Sequence, residues 1–135
     1  MVMESLSVGV VGGGTMGVGI AYVYAVAGWE TTVVEPDDAR AATMQQTLES
    51  TARAGAQRGK LTPEQADRAA SGVRRVASVA ELPMRLDLVI ETVPERLEIK
   101  RQVLAQIEQR EPRVLASNTS ALSIDVLADV FPIGG

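Results

Sequence analysis

The chain has 135 residues, of which 46% are hydrophobic, and a formal net charge of −4 at pH 7, so it has the size and composition of one globular domain with a buried core. Binding to nucleic acid or to an anionic membrane surface is disfavoured, because both need clustered lysine and arginine and the basic residues here are scattered. The chain contains no cysteine and no histidine, which excludes disulfides, thiolate metal sites and the commonest metal ligand and general base.

Apolar runs alternate with helix-like segments along the chain. The first run, Leu6 to Val11, is short, rich in valine and closed by glycines, which predicts a strand buried on both faces. A helix is predicted from Thr15 to Ala27, and it ends before Gly28 because glycine tolerates the left-handed conformation at that position. A second strand is predicted over residues 31–35, before a proline.

A helical hairpin is predicted at about residues 37–71, with Asp37 or Asp38 as the first N-cap and Pro63 in the first turn of the second helix. The later segments predict a strand over 73–76, a strand over 86–91, a helix over 95–109, a strand over 114–117 and a short helix over 123–130. This order predicts an α/β fold in which residues 1–135 form one domain around a doubly wound parallel sheet of the Rossmann type.

The turn after the first strand carries a glycine-rich motif. Gly12, Gly14 and Gly17 fit G-x-G-x-x-G, in which the glycines allow a tight turn, close approach of a pyrophosphate and close packing of helix on strand. The motif is weak by itself, because glycines at this spacing also occur by chance. Glu35, 18 residues after Gly17 at the end of the second strand, strengthens the assignment, since a carboxylate there accepts hydrogen bonds from the adenine ribose and repels a 2′-phosphate. We therefore predict an NAD site whose glycine loop comprises Gly12, Gly13, Gly14, Thr15, Met16 and Gly17.

Two polar segments follow later strands, where an open α/β sheet binds its ligand. One is residues 91–95 with Lys100 in the next helix, and the other is residues 117–120. Each also has a purely structural explanation: Glu95 complements a helix dipole, and Asn118 and its neighbours are favoured turn and N-cap residues. Spacing alone leaves both interpretations open.

Three segments in this order, GGGTMGVGIA, VIETVPERLEIKRQVLAQIE and LASNTSALSI, resemble the NAD-binding domain of 3-hydroxyacyl-CoA dehydrogenases, including bacterial 3-hydroxybutyryl-CoA dehydrogenases. The resemblance covers essentially the whole chain, and the RGKLTPEQAD stretch of the hairpin is also similar. It implies that the glycine loop and Glu35 bind NAD. It further implies that Glu95, Lys100 and Asn118 line the cofactor site and that Ser120 contacts the substrate's 3-hydroxyl group beside the nicotinamide.

The resemblance also implies a reaction, and this sequence departs from the family in a residue that the reaction needs. Family members oxidise a 3-hydroxyacyl thioester to the 3-ketoacyl form with a histidine base, and their C-terminal helical domain forms most of a dimer interface. This chain has no histidine, and Glu91, Glu95 and Lys100 are poor substitutes at neutral pH. We therefore expect a cofactor-binding half that binds NAD and turns over little by itself, and a homodimer at full length.

The resemblance places the hairpin near coenzyme A. Arg53, Arg58 and Lys60 are candidate ligands for its phosphates, although a solvated helix face explains these charges better.

Three alternatives remain open at this stage. The substrate thioester could be carried by an acyl carrier protein instead of coenzyme A. The chain could be a stand-alone NAD-binding module without catalysis. It could also belong to another dehydrogenase of small hydroxy acids, against which the SNTS and ETVPE segments argue.

No apolar run approaches the about 18 residues of a membrane span, and no secretory signal pattern is present, so we expect a cytoplasmic location.

Overall fold

A single sheet of five parallel strands organises the part of the chain that the computed structural model describes, residues 6–94 and 96–117. The strands are β1 (Ser7–Val11), β2 (Glu30–Val34), β3 (Val73–Val76), β4 (Leu88–Glu91) and β5 (Leu115–Ser117). The helices are α1 (Thr15–Val26), α2 (Asp38–Gln57), α3 (Pro63–Ser71) and α4 (Leu97–Glu108), and a short 3-10 turn covers Val79–Glu81.

The strand order is β3-β2-β1-β4-β5. The chain therefore adds β2 and β3 on one side of β1 and then adds β4 and β5 on the other side. Val10 of β1 is in register with Val33 of β2 and with Ile90 of β4. The two directions diverge between β1 and β4, and open α/β sheets bind ligands beyond the carboxyl ends of the strands at such a point. The predicted doubly wound α/β fold is confirmed.

Each face of the sheet carries its own hydrophobic cluster, which explains why the strands are almost continuously apolar. On one face Val10 packs with Ala21 of α1 and Leu48 of α2, all fully buried. On the other face Val89 packs with Ile107 of α4 and is equally buried. The helices are thereby fixed on both sides of the strand ends that form the site.

Local capping follows the sequence closely. Gly28 has a φ of +94°, as predicted for the residue that ends α1. The Asp37 side chain accepts a hydrogen bond of 2.8 Å from the Arg40 backbone N–H at the start of α2. Thr62 and Gln65 form a capping box at the start of α3, with proline in its first turn. The two helices predicted for the hairpin are confirmed.

Several predicted ends of strands and helices are shifted by one or two residues in the structure. The predicted strand over 86–91 begins only at Leu88, and the Asp87 backbone N–H before it donates to the side-chain Oγ atom of Ser7 at 3.2 Å. The 3-10 turn over Val79–Glu81 is not anticipated by any periodic pattern. The helix predicted over 123–130 lies outside the described residues. Within the described ranges, no helix has the length and apolar character needed to cross a membrane.

Asp87 gives the fold a pH dependence at the edge of the sheet opposite the strand carboxyl ends. Its Oδ2 atom accepts hydrogen bonds from the Ser7 backbone N–H at 2.8 Å and from the Ser7 Oγ–H at 3.0 Å. The hydrogen bond from the Ser7 backbone, followed by that from its side chain, holds the pKa of the Asp87 carboxyl below its ordinary value. A carboxyl with a lowered pKa in the folded chain stabilises the fold above its unfolded pKa, and this stabilisation is lost as the pH falls through the folded value.

We therefore expect Asp87→Asn to lower the thermal midpoint at pH 7 and to lower it less as the pH falls below about 4. Circular dichroism melts of the wild type and the variant at pH 7 and pH 3 measure this difference. A midpoint difference that is the same at both pH values would contradict the assignment.

Candidate functional site

The glycine motif at the end of β1 leaves room for backbone alone at Gly12 and at Gly17. Gly12 has a φ of +117°, and a Cβ atom there would lie 2.5 Å from the Thr92 Oγ1 atom. A Cβ atom on Gly17 would lie 1.8 Å from the carbonyl oxygen of Gly12, so the first turn of α1 rests directly on the loop. A Cβ atom on Gly14 would meet nothing within 4 Å. The surface at Gly14 is therefore open to a ligand.

The N-terminus of α1 faces the same open surface. Gly14 is its N-cap, and no acidic side chain lies in its first turn. Thr15 and Met16, the first residues of the helix, are exposed. The partial positive charge of a helix N-terminus favours an anion at this place.

Glu35 lies directly beside the glycine loop. Its Oε1 atom accepts a hydrogen bond of 3.0 Å from the Gly13 backbone N–H, and its Oε2 atom accepts one of 2.8 Å from the Asp37 backbone N–H. Its side chain is only 2% exposed. A Cβ atom on Gly13 would lie 2.9 Å from the Glu35 Cβ atom, so glycine is required here although the motif leaves this position free. The structure thus joins the predicted loop to the predicted acid.

Two arginines flank Glu35, and sequence reasoning missed both. Arg40 places a guanidinium nitrogen 3.8 Å from the Glu35 Oε1 atom, and its side chain is 61% exposed. The Arg75 Nε–H donates to the Glu35 backbone carbonyl at 2.8 Å, and the same guanidinium pairs with Asp38 at 3.0 Å. The position of Arg40, five residues after the acid in the first turn of α2, is the signal that could have identified it.

A cleft of about 830 Å³ runs along the strand ends from the glycine loop. Its walls come from the loop, from the end of β2, from the 3-10 turn, from the segment after β4 and from one side of α4. Thr92 joins two of these walls, since its Oγ1–H donates to the Val11 carbonyl at 2.9 Å. The residues lining the cleft are Val11, Gly12, Gly13, Gly14, Val34, Glu35, Pro36, Arg40, Ala77, Ser78, Val79, Thr92, Val93, Pro94, Ile99, Val103 and Gln106.

A buried polar cluster lies at the end of β4. Glu91 and Lys100 are both fully buried, and the Lys100 ammonium donates to both Glu91 carboxylate oxygens, at 2.9 and 2.8 Å. The same carboxylate accepts hydrogen bonds of 2.6 Å from the Val93 backbone N–H and from the Ser117 Oγ–H. The pairing joins residues nine positions apart in sequence across a strand and a helix, so spacing could not predict it.

The predicted site residues fall into three groups. Of the predicted loop, Gly12, Gly13 and Gly14 line the cleft together with Glu35. Lys100 is fully buried and does not line this cleft, so its direct contact with a cofactor stays a prediction. Glu95, Asn118 and Ser120 lie outside the described residues, and their predicted roles are likewise predictions. In residues 6–94 and 96–117, no group of three or more acidic, histidine or cysteine side chains could hold a metal ion.

Comparison with known proteins decides the family. The profile of the family described as "3-hydroxyacyl-CoA dehydrogenase, NAD binding domain" matches residues 7–132. The chain belongs to this family. It is an NAD-binding domain.

Curated relatives of this NAD-binding domain include the fatty acid oxidation complex subunit alpha of Pseudomonas paraeruginosa, which is 37% identical over 127 residues. The match covers 90% of this chain and 17% of that protein. The chain therefore spans about a sixth of the length of such relatives.

Solved structures agree with the family assignment. The 3-hydroxybutyryl-CoA dehydrogenase of Escherichia coli K12 superposes with a TM-score of 0.83 at 32% identity, covering 93% of this chain and 27% of that one. The (S)-3-hydroxybutyryl-CoA dehydrogenase of Ralstonia eutropha gives a TM-score of 0.80 at 34% identity, covering 94% of this chain and 45% of that one.

Proposed function

We propose that the NAD-binding domain is the cofactor-binding half of an oxidoreductase that interconverts 3-hydroxyacyl-CoA and 3-ketoacyl-CoA in fatty acid metabolism. The observation that carries the proposal is the open surface at Gly14 beside the buried Glu35 carboxylate, in a chain of this family. Bound NAD⁺ would supply the hydride acceptor. The chain's own contribution is to bind and orient that acceptor, because it has no histidine to remove the hydroxyl proton.

The residues present fit a dinucleotide in three parts. The N–H groups at the start of α1 bind the pyrophosphate over Gly14, where no side chain blocks its approach. The Glu35 carboxylate accepts hydrogen bonds from the adenine ribose and excludes a 2′-phosphate. The wall formed by Pro36, the 3-10 turn and Val103 encloses the adenine side of the cleft.

A second groove supports an elongated thioester as the substrate. It has a volume of about 410 Å³, runs between α1 and α2, and shares Gly13, Gly14 and Arg40 with the cofactor cleft. An acyl thioester lying in this groove would approach the cofactor from the glycine loop. A pantetheine arm in this groove would belong to coenzyme A or to an acyl carrier protein, and the fatty acid oxidation relatives favour coenzyme A.

We further propose a cytoplasmic homodimer for the whole protein. Exposed apolar surface on α1 outside the glycine loop, such as Val23 at 61% exposure, supports self-association. A sedimentation measurement on the whole protein tests the dimer, and a monomer at all concentrations would refute it.

The preference for NADH over NADPH should change in opposite directions when Glu35 and Arg40 are replaced. We expect Glu35→Gln to reduce the preference for NADH over NADPH about tenfold, because the carboxamide keeps an acceptor oxygen but no longer repels a 2′-phosphate. We expect Arg40→Ala to increase the same preference about threefold, because it removes the cation 3.8 Å from that carboxylate. Calorimetric titration of each variant with NADH and NADPH measures both ratios.

Arg58→Ala is the matched control. It removes an arginine at the far end of α2 and should leave the ratio unchanged. Equal affinities of the wild type for NADH and NADPH would refute the NAD preference, and parallel changes in the Glu35 and Arg40 variants would refute the electrostatic explanation.

A further inference from the structure

We propose that Glu91 is a positioning residue that holds the nicotinamide side of the cofactor site in place. The residue itself is fully buried and acts through the groups that it binds. These groups belong to three separate segments: the turn after β4, the helix α4 and the end of β5.

The geometry of the carboxylate carries this assignment. Its Oε2 atom accepts from the Val93 backbone N–H at 2.6 Å, which fixes the turn that lines the cleft through Val93 and Pro94. Its Oε1 atom accepts from the Ser117 Oγ–H at 2.6 Å, which fixes the last residue of β5. Lys100 spans both oxygens and ties α4 to the same point. One side chain thus sets the relative positions of the cleft wall on β4 and the end of β5.

The sheet order places this wall opposite the adenosine half. Glu35 follows β2 on one side of the crevice, and the glycine loop follows β1 in the middle. Glu91 is the last residue of β4 on the other side. A dinucleotide whose adenine ribose binds Glu35 and whose pyrophosphate binds the loop must extend its second nucleoside over β4 and β5. The inference rests on the proposed function in this respect.

Stability alone does not explain a buried ion pair at this point. Packed apolar residues of similar volume are often as stabilising as a buried pair or more so, because desolvation of the charges offsets their attraction. An apolar pair at 91 and 100 would leave the Val93 N–H and the Ser117 Oγ–H without their acceptor. The carboxylate is therefore needed for the geometry of the two segments that it orients.

The test compares two ligands that differ in the nicotinamide. NADH carries both nucleosides, whereas ADP-ribose has the adenosine, the pyrophosphate and the second ribose without nicotinamide. For the purified 135-residue chain, we expect Glu91→Gln to raise the Kd for NADH about tenfold and to change the Kd for ADP-ribose less than about twofold. Ser117→Ala, which keeps the ion pair, should raise the Kd for NADH about threefold and leave ADP-ribose unchanged.

Asp87→Asn serves as the matched control, because it changes a hydrogen-bonded carboxylate at the opposite edge of the sheet. It should change neither Kd, and the fluorescence maximum of bound NADH should shift in Glu91→Gln but not in this control. If Glu91→Gln does not fold, Ser117→Ala decides the question by itself.

The outcomes separate the inference from the proposed function. Wild-type binding of both ligands, with variants that weaken both equally or neither, overturns the positioning role and leaves the NAD site intact. A wild type that binds ADP-ribose as tightly as NADH overturns it as well, because the wall then contributes nothing to nicotinamide binding. A wild type that binds neither ligand overturns the proposed function itself.

Discussion

Replacement of Gly17 by alanine is expected to destabilise the fold by about 3 kcal/mol and to abolish measurable NADH binding. The added Cβ atom would lie 1.8 Å from the carbonyl oxygen of Gly12. Since that contact is with backbone, relief requires α1 to move away from the glycine loop, which also displaces the N–H groups that face the pyrophosphate. Urea denaturation followed by circular dichroism measures the stability, and calorimetry with NADH measures the binding.

Gly14→Ala is the matched control within the same motif. A Cβ atom there meets nothing within 4 Å, so the fold should lose less than about 1 kcal/mol, although an N-cap alanine is somewhat worse than glycine. NADH binding should nevertheless weaken, because the methyl group occupies the surface that the pyrophosphate approaches. Equal losses of stability in the two variants would contradict the different roles that the structure assigns to Gly14 and Gly17.

The fold was predictable because its signals are local in sequence. The valine-rich runs that become β1 and β2 are buried on both faces by helices, so the apolar pattern alone marks them as inner strands of a parallel sheet. Gly28 follows the end of α1 and Pro63 begins α3 because of the backbone conformations that glycine and proline allow. A single residue is therefore enough to predict each of these helix ends. The acid at the end of β2 was found because its distance from the glycine loop follows from that strand and helix.

The less predictable part of the site depends on contacts between distant segments. Gly13 occupies a free position of the motif, and its need for glycine follows only from the Glu35 side chain packed against it. Arg40 belongs to no motif, and the effect that we propose for it on cofactor preference depends on its 3.8 Å distance from Glu35. Glu91 ends an apolar run, and a charged residue at such a place predicts a buried carboxylate that needs a partner. Nothing in the local sequence identifies Lys100 as that partner.

Lys100→Met is expected to destabilise the fold by about 3 to 5 kcal/mol, because it leaves the Glu91 carboxylate buried without its counter-ion. The Val93 N–H and the Ser117 Oγ–H still donate to that carboxylate, but neutral donors do not offset the cost of a desolvated charge. Urea denaturation of the purified chain measures the loss. Arg68→Met, which breaks the exposed 3.8 Å pair with Glu64 on α3, should cost less than about 0.5 kcal/mol and serves as the control.

The double variant Lys100→Met with Glu91→Gln separates charge from packing. Glutamine keeps an acceptor oxygen for the Val93 N–H and removes the uncompensated charge, so we expect the double variant to recover most of the stability that Lys100→Met loses. Such a recovery means that replacing the buried pair lowers the stability of the fold only a little. The role of Glu91 is then to orient the segments that it binds. A double variant as unstable as Lys100→Met would instead show that the ammonium itself holds β4 and α4 together, and the pair would then be a stabilising element of the core.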